Sequence, residues 1–119
     1  MKITYLGQAG LLFENHGFKI MIDPYLSDSV NRIANRPRTL PIPINPEDIN
    51  CDAVICTHNH LDHYDPETVS HFIDENSNIT VLAPKSVWDE VRKIGGNNNY
   101  VLFNRHTEST QNGIKFTAV

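Results

Sequence analysis

Several things are scarce in this chain, and each scarcity removes a class of protein. Among its 119 residues there are 2 cysteines, Cys51 and Cys56. Their spacing matches no zinc ribbon, and both fall in or beside an apolar run, where a cysteine serves as a small buried hydrophobe. They read as reduced core residues of a cytoplasmic protein. Basic residues are outnumbered, 10 against 14 acidic, giving a net charge of −4 and a pI of about 5.8. That balance argues against a nucleic-acid footprint, which needs a basic stripe. No apolar stretch approaches the length of a membrane span. Met1-Lys2-Ile3-Thr4 leads straight into a strand pattern without the apolar run of a signal peptide. No repeat or low-complexity tract is present.

Against this background one segment stands out, Thr57-His58-Asn59-His60-Leu61-Asp62-His63-Tyr64-Asp65, directly after the apolar run Ala53-Val54-Ile55-Cys56. Imidazole and carboxylate are the usual ligands of a catalytic Zn²⁺ or a similar transition ion. Burying them without a partner would cost several kcal/mol, on the order expected for unpaired polar groups. His58 and His60 leave an extended backbone on the same face. Asp62 and His63 are adjacent, so the chain has to turn for both to reach a common centre. The spacing predicts one ion on His58 and His60 and a second on Asp62 and His63. Asp65-Pro66 then supplies a helix start, an N-cap followed by a first-turn proline.

The pattern His58-x-His60-x-Asp62-His63 after a hydrophobic strand resembles the metal signature of the metallo-β-lactamase superfamily. Lys19-Ile20-Met21-Ile22-Asp23-Pro24 resembles that superfamily's earlier strand, whose terminal Asp lies beneath the histidine loop. Within the superfamily the chain looks most like the L-ascorbate-6-phosphate lactonase branch. The similarity runs from Ile3-Thr4-Tyr5-Leu6-Gly7-Gln8-Ala9-Gly10 through Cys51–His58 to Ala83-Pro84-Lys85-Ser86-Val87-Trp88. The resemblance implies an α/β (α+β) fold, one half of a four-layer αβ/βα sandwich. Residues 1–119 are then the N-terminal part of one domain, because the resembled fold is about twice this long. The further His and Asp ligands of family members are not found here. Asp23 is implied to support a ligand histidine from behind.

The remaining chain reads as alternating strands and helices. Residues 2–6, 11–15 and 18–23 form an antiparallel meander with turns at Gly7–Gly10 and His16-Gly17. Strands are expected at 53–57, 79–82, 100–103 and 113–118. Helices are expected over 66–75, with Val69, Phe72 and Ile73 on one face, and from Pro84 to before Gly95-Gly96. Residues 24–50, with Pro37, Pro41, Pro43 and Pro46, read as a long ordered loop. Arg32, Arg36 and Arg38 cluster there, and a guanidinium fork suits phosphate. A solvated, proline-stiffened surface loop is the stronger reading of them, because arginines are common on surfaces. His16, His71 and His106 read as solvated or packing residues, and Trp88 as a packing residue.

The expected function is a metal-dependent hydrolase using Zn²⁺ or Mn²⁺, with Asp62 accepting a proton from the attacking water. The resemblance implies a lactonase acting on a small, phosphorylated substrate. A phosphodiesterase or nuclease of the same fold is the alternative enzyme. A non-catalytic metal-binding fragment that needs a second chain is the alternative outside enzymes. Strands 53–57 and 113–118 would present an apolar face to solvent, so self-association is expected.

Overall fold

The computed structural model describes residues 1–119. Six strands form one mixed sheet: β1 (Lys2–Gly7), β2 (Gly10–Asn15), β3 (Phe18–Ile22), β4 (Ala53–Ile55), β5 (Thr80–Ala83) and β6 (Asn99–Leu102), in that spatial order. β1, β2 and β3 pair antiparallel, and β3 through β6 pair parallel. The meander is closed by a two-residue turn, Asn15 opposite Phe18, with His16 at φ 51° and Gly17 at φ 79°. Two positive φ values in sequence give the turn whose twist matches that of the flanking strands.

α1 (Ser29–Ala34) lies in the connection from β3 to β4, α2 (Pro66–Val69) follows β4, and α3 (Lys85–Val91) follows β5. Short 3₁₀ turns occupy Pro46–Asp48 and Arg92–Ile94. The helical side of the sheet carries the larger core, in which Leu6, Met21, Val54, Val81 and Ala83 meet Val69, Phe72, Ile73, Val87 and Val91. Each large aliphatic side chain fully buried there contributes roughly 1.5–3 kcal/mol. The opposite side buries Ile20, Ala53, Ile55, Leu82 and Phe103, with Phe13, Ile114 and Phe116 packed on them.

The departures from expectation have local causes. Residues 24–50 contain α1, which shows no apolar stripe: of its residues only Ser29 is buried, and Ile33 is 74% exposed. Residues 66–75 are regular helix only to Val69 and then tighten, with Phe72 N–H donating to Val69 O. Strand pairing of 53–57 ends at Ile55 because the Thr57 N–H turns to the Asp23 carboxylate. Residues 113–118 do not join the main sheet. β8 (Ile114–Thr117) pairs instead with β7 (Glu108–Gln111) as a separate ribbon over the second face. Its turn, Asn112 at φ 49° and Gly113 at φ 81°, is an Asn-Gly hairpin signal that was available in the sequence.

Candidate functional site

The histidine segment begins where β4 stops and is shaped by two helical-type bonds, His63 N–H and Tyr64 N–H both donating to His60 O. This turn brings three rings together. The His58 centroid lies 3.9 Å from that of His63 and 4.5 Å from that of His60. Asp62 stands beside them, its Oδ2 3.7 Å from His63 Nε2.

Asp23, 3% exposed and at φ 45°, sits beneath this cluster. Its Oδ1 accepts from Thr57 N–H at 2.7 Å, and its Oδ2 accepts from Thr57 Oγ1 at 2.6 Å and from His63 Nδ1 at 2.8 Å. These contacts fix proton positions. A carboxylate only accepts, so His63 carries its proton on Nδ1 and leaves the Nε2 lone pair free. Thr57 has one hydroxyl proton and gives it to Asp23. The His58 Nδ1 contact to Thr57 Oγ1, 2.9 Å, is then a donation from the ring. One carboxylate thereby sets the tautomer of two histidines. His58 is also held below the ordinary histidine pKa, first by desolvation and then by the neighbouring His63 and His60 rings. A neutral ring is the form that binds metal. Burial pushes the Tyr64 phenol up to about 12 and leaves it protonated.

The donor set therefore suits a divalent transition ion: three gathered imidazoles, two of them engaged through Nδ1 so that Nε2 faces away from Asp23 and Thr57, and a carboxylate alongside. The side chains as placed are gathered rather than caged, and no three His, Cys, Asp or Glu groups already surround one point. Asp62 Oδ2 is instead turned to accept from Gln8 Nε2 at 3.2 Å.

Asp65 closes the segment and is 0% exposed. Beyond capping α2 it accepts from the hydroxyls of Ser27, Ser29 and Thr68 at 2.5, 2.9 and 2.5 Å. It ties the β3–α1 loop to the histidine turn, a role that the N-cap signal alone did not reveal.

The three arginines separate. Arg32, on α1, pairs with Glu67. Arg36 and Arg38 line a cleft of about 220 Å³ that also contains Gln8, Tyr25 and Asp62. Cys51 and Cys56 are free thiols, both pushed up in pKa mainly by burial, so they stay protonated at neutral pH. Trp88 packs on α3, donating from Nε1 to Tyr100 O with Arg92 over its ring. No helix is long and apolar enough to cross a membrane.

The fold thus places a histidine-rich turn at the end of a parallel strand in a mixed sheet with helices packed on one side. A family described as "Beta-lactamase superfamily domain" matches residues 2–119. A metal-dependent hydrolase of Aeropyrum pernix is 33% identical over 108 residues, 87% of this chain and 39% of that protein. An N-acyl-phosphatidylethanolamine-hydrolysing phospholipase D of Caenorhabditis elegans is 30% identical over 123 aligned positions, 96% of this chain and 35% of its own length. The crystal structure of isothiocyanate hydrolase from Delia radicum gut bacteria superimposes with a TM-score of 0.66 and 27% identity, covering 95% of this chain and 44% of that one. The chain belongs to the metallo-β-lactamase superfamily. It spans less than half the length of these relatives.

Proposed function

We propose that this chain is the N-terminal part of one metallo-β-lactamase domain and carries the first half of a metal-dependent hydrolase centre. His58 and His60 would hold one divalent ion, and Asp62 and His63 the second, Zn²⁺ or Mn²⁺. Held there, such ions would supply a nucleophile from water near neutral pH and charge stabilisation to the substrate oxygen. Asp62 accepts the proton released by the water, and Asp23 keeps the His63 ring, and the His58 ring through Thr57, in the ligating tautomer. The observation that carries this reading is the single buried carboxylate joined to both histidines.

The leading substrate is a small cytoplasmic ester or lactone, a sugar-phosphate lactone by resemblance to the lactonase branch. The similarity to the nematode phospholipase D favours a second reading, cleavage of a phosphodiester. The test is a panel of lactones and phosphodiesters offered to the protein extended through the second half of the domain, with Zn²⁺, Mn²⁺ or EDTA. Metal-dependent turnover lost in His60→Ala supports the reading. Turnover indifferent to EDTA and to His60→Ala overturns it.

A further inference from the structure

The turn that joins β1 to β2 is built at a conformational cost. Gly7 pairs across it with Gly10, leaving Gln8 and Ala9 at the tip, and Gly7 and Gln8 both have positive φ, 87° and 54°. Glycine takes that conformation freely, whereas a residue with a side chain is strained there. Tyr5 Oη donates to Gln8 O at 2.9 Å and braces the strained residue. A Cβ at Gly10 would lie 3.3 Å from Asp23 O, so glycine at that position lets the turn settle against the backbone beneath the histidines. Gln8 itself is exposed, so core packing does not select its side chain.

What the strained turn holds in place is the Gln8 amide. Its Nε2 donates to Asp62 Oδ2 at 3.2 Å, across 54 positions of sequence. The same Oδ2 faces His63 Nε2 at 3.7 Å. With the His63 proton on Nδ1 and bonded to Asp23, Nε2 presents a lone pair, and a carboxylate oxygen has only lone pairs to offer. Two such atoms repel unless a cation or a proton lies between them. Gln8 therefore secures Asp62 in an orientation that Asp62 and His63 alone would not favour. An amide suits this task because it donates without carrying charge. A lysine or arginine would neutralise Asp62 and compete with an ion, and a glutamate would repel it.

We propose that Gln8 is a positioning residue that holds the Asp62 carboxylate facing His63 Nε2, where the two form one pair of metal donors. Asp23, at the end of β3, orients the rings, and Gln8, just past the end of β1, orients the carboxylate. The β1–β3 meander thereby sets the donor geometry from two of its strand ends. The proposal rests on the metal-centre reading of the histidine turn given above.

The test is calorimetric titration with Zn²⁺ of wild type, Gln8→Gly, Asp62→Ala and the double variant, with urea unfolding of each in EDTA. Gln8→Gly keeps the positive φ without strain, so its unfolding midpoint should stay close to that of wild type. Its Zn²⁺ affinity should nevertheless fall about tenfold, the low end of the loss that follows removal of a partner behind a metal ligand. In the Asp62→Ala background the same substitution should change nothing, because an effect exerted through Asp62 disappears with it. Gln8→Lys, which keeps a donor but brings a charge, should not restore affinity. Equal Zn²⁺ affinity of Gln8→Gly and wild type, or the same loss with and without Asp62, would overturn the proposal and leave the metal centre standing. Absence of any Zn²⁺ binding by wild type would overturn both.

Discussion

Asp23 and Asp65 flank the histidine turn, and both carboxylates are almost completely buried. Their partners differ in kind. Asp65 accepts from three hydroxyls and from the N–H groups of Glu67 and Thr68, all of them groups that hold chain segments together. Asp23 accepts from Thr57 twice and from one imidazole, and Thr57 passes the contact on to a second ring. The same side chain at similar burial thus serves to weld two loops in one case and to orient imidazole rings in the other. Burial alone does not separate the roles; the chemistry of the partners does.

Substitutions at these two positions should pull stability and metal binding apart. The largest effect on stability is expected at Asp65. Asp65→Ala strands three buried or half-buried hydroxyls and two N–H groups, and breaking such a network costs on the order of 3–5 kcal/mol. Urea unfolding should show a markedly lower midpoint, while whatever folded fraction remains binds metal as before. A midpoint close to wild type would mean that the welding role is misassigned.

Asp23→Ala is expected to reverse the pattern. Metal affinity should fall about 10–100-fold, the usual consequence of removing a carboxylate behind a ligating histidine. The unfolding penalty should be smaller than for Asp65→Ala, about 1–3 kcal/mol for the Thr57 groups left unpaired. Calorimetric titration with Zn²⁺ checks the first figure and urea unfolding the second. If Asp23→Ala leaves metal affinity unchanged, the two carboxylates are of one kind after all.

The smallest effect concerns pH. His58 binds its proton less readily folded than unfolded, since desolvation and its neighbouring rings lower its pKa from 6.5. Between the two values the unfolded chain holds more protons, so stability rises with pH there. His58 therefore costs the metal-free fold nothing above about pH 6.5, and its contribution is lost progressively as pH falls below that value. Comparing urea midpoints of wild type and His58→Gln from acid to neutral pH should show a shallower slope in the variant. Identical slopes would remove His58 from the account.

Local sequence signals encode part of this structure, and long-range contacts supply the rest. The meander, β4, β5, β6 and α3 follow from apolar runs punctuated by His16-Gly17 and Gly95-Gly96, signals that are local. Asp23 was legible only through the resemblance of Lys19–Pro24 to the superfamily's earlier strand, since by itself Asp23-Pro24 reads as a turn. Asp65 was legible only as an N-cap, since its bonds to Ser27 and Ser29 cross more than 30 positions of sequence. α1 hid because a helix with one buried residue has no stripe to read. β7, Glu-Ser-Thr-Gln, has no apolar residue, and only the Asn112-Gly113 turn pointed to it. The arginines looked like one cluster in sequence, but α1 carries Arg32 toward Glu67 and leaves Arg36 and Arg38 in the cleft.

Metal binding at the histidine turn is the property on which the proposed function depends. Titrating the purified chain with Zn²⁺, alongside His58→Ala and His63→Ala, tests it most directly. The account predicts weak but saturable binding by the wild-type chain, lost in both variants, and hydrolase activity too low to detect. Binding that survives both substitutions, or tight two-ion occupancy with full turnover by the chain alone, would contradict it.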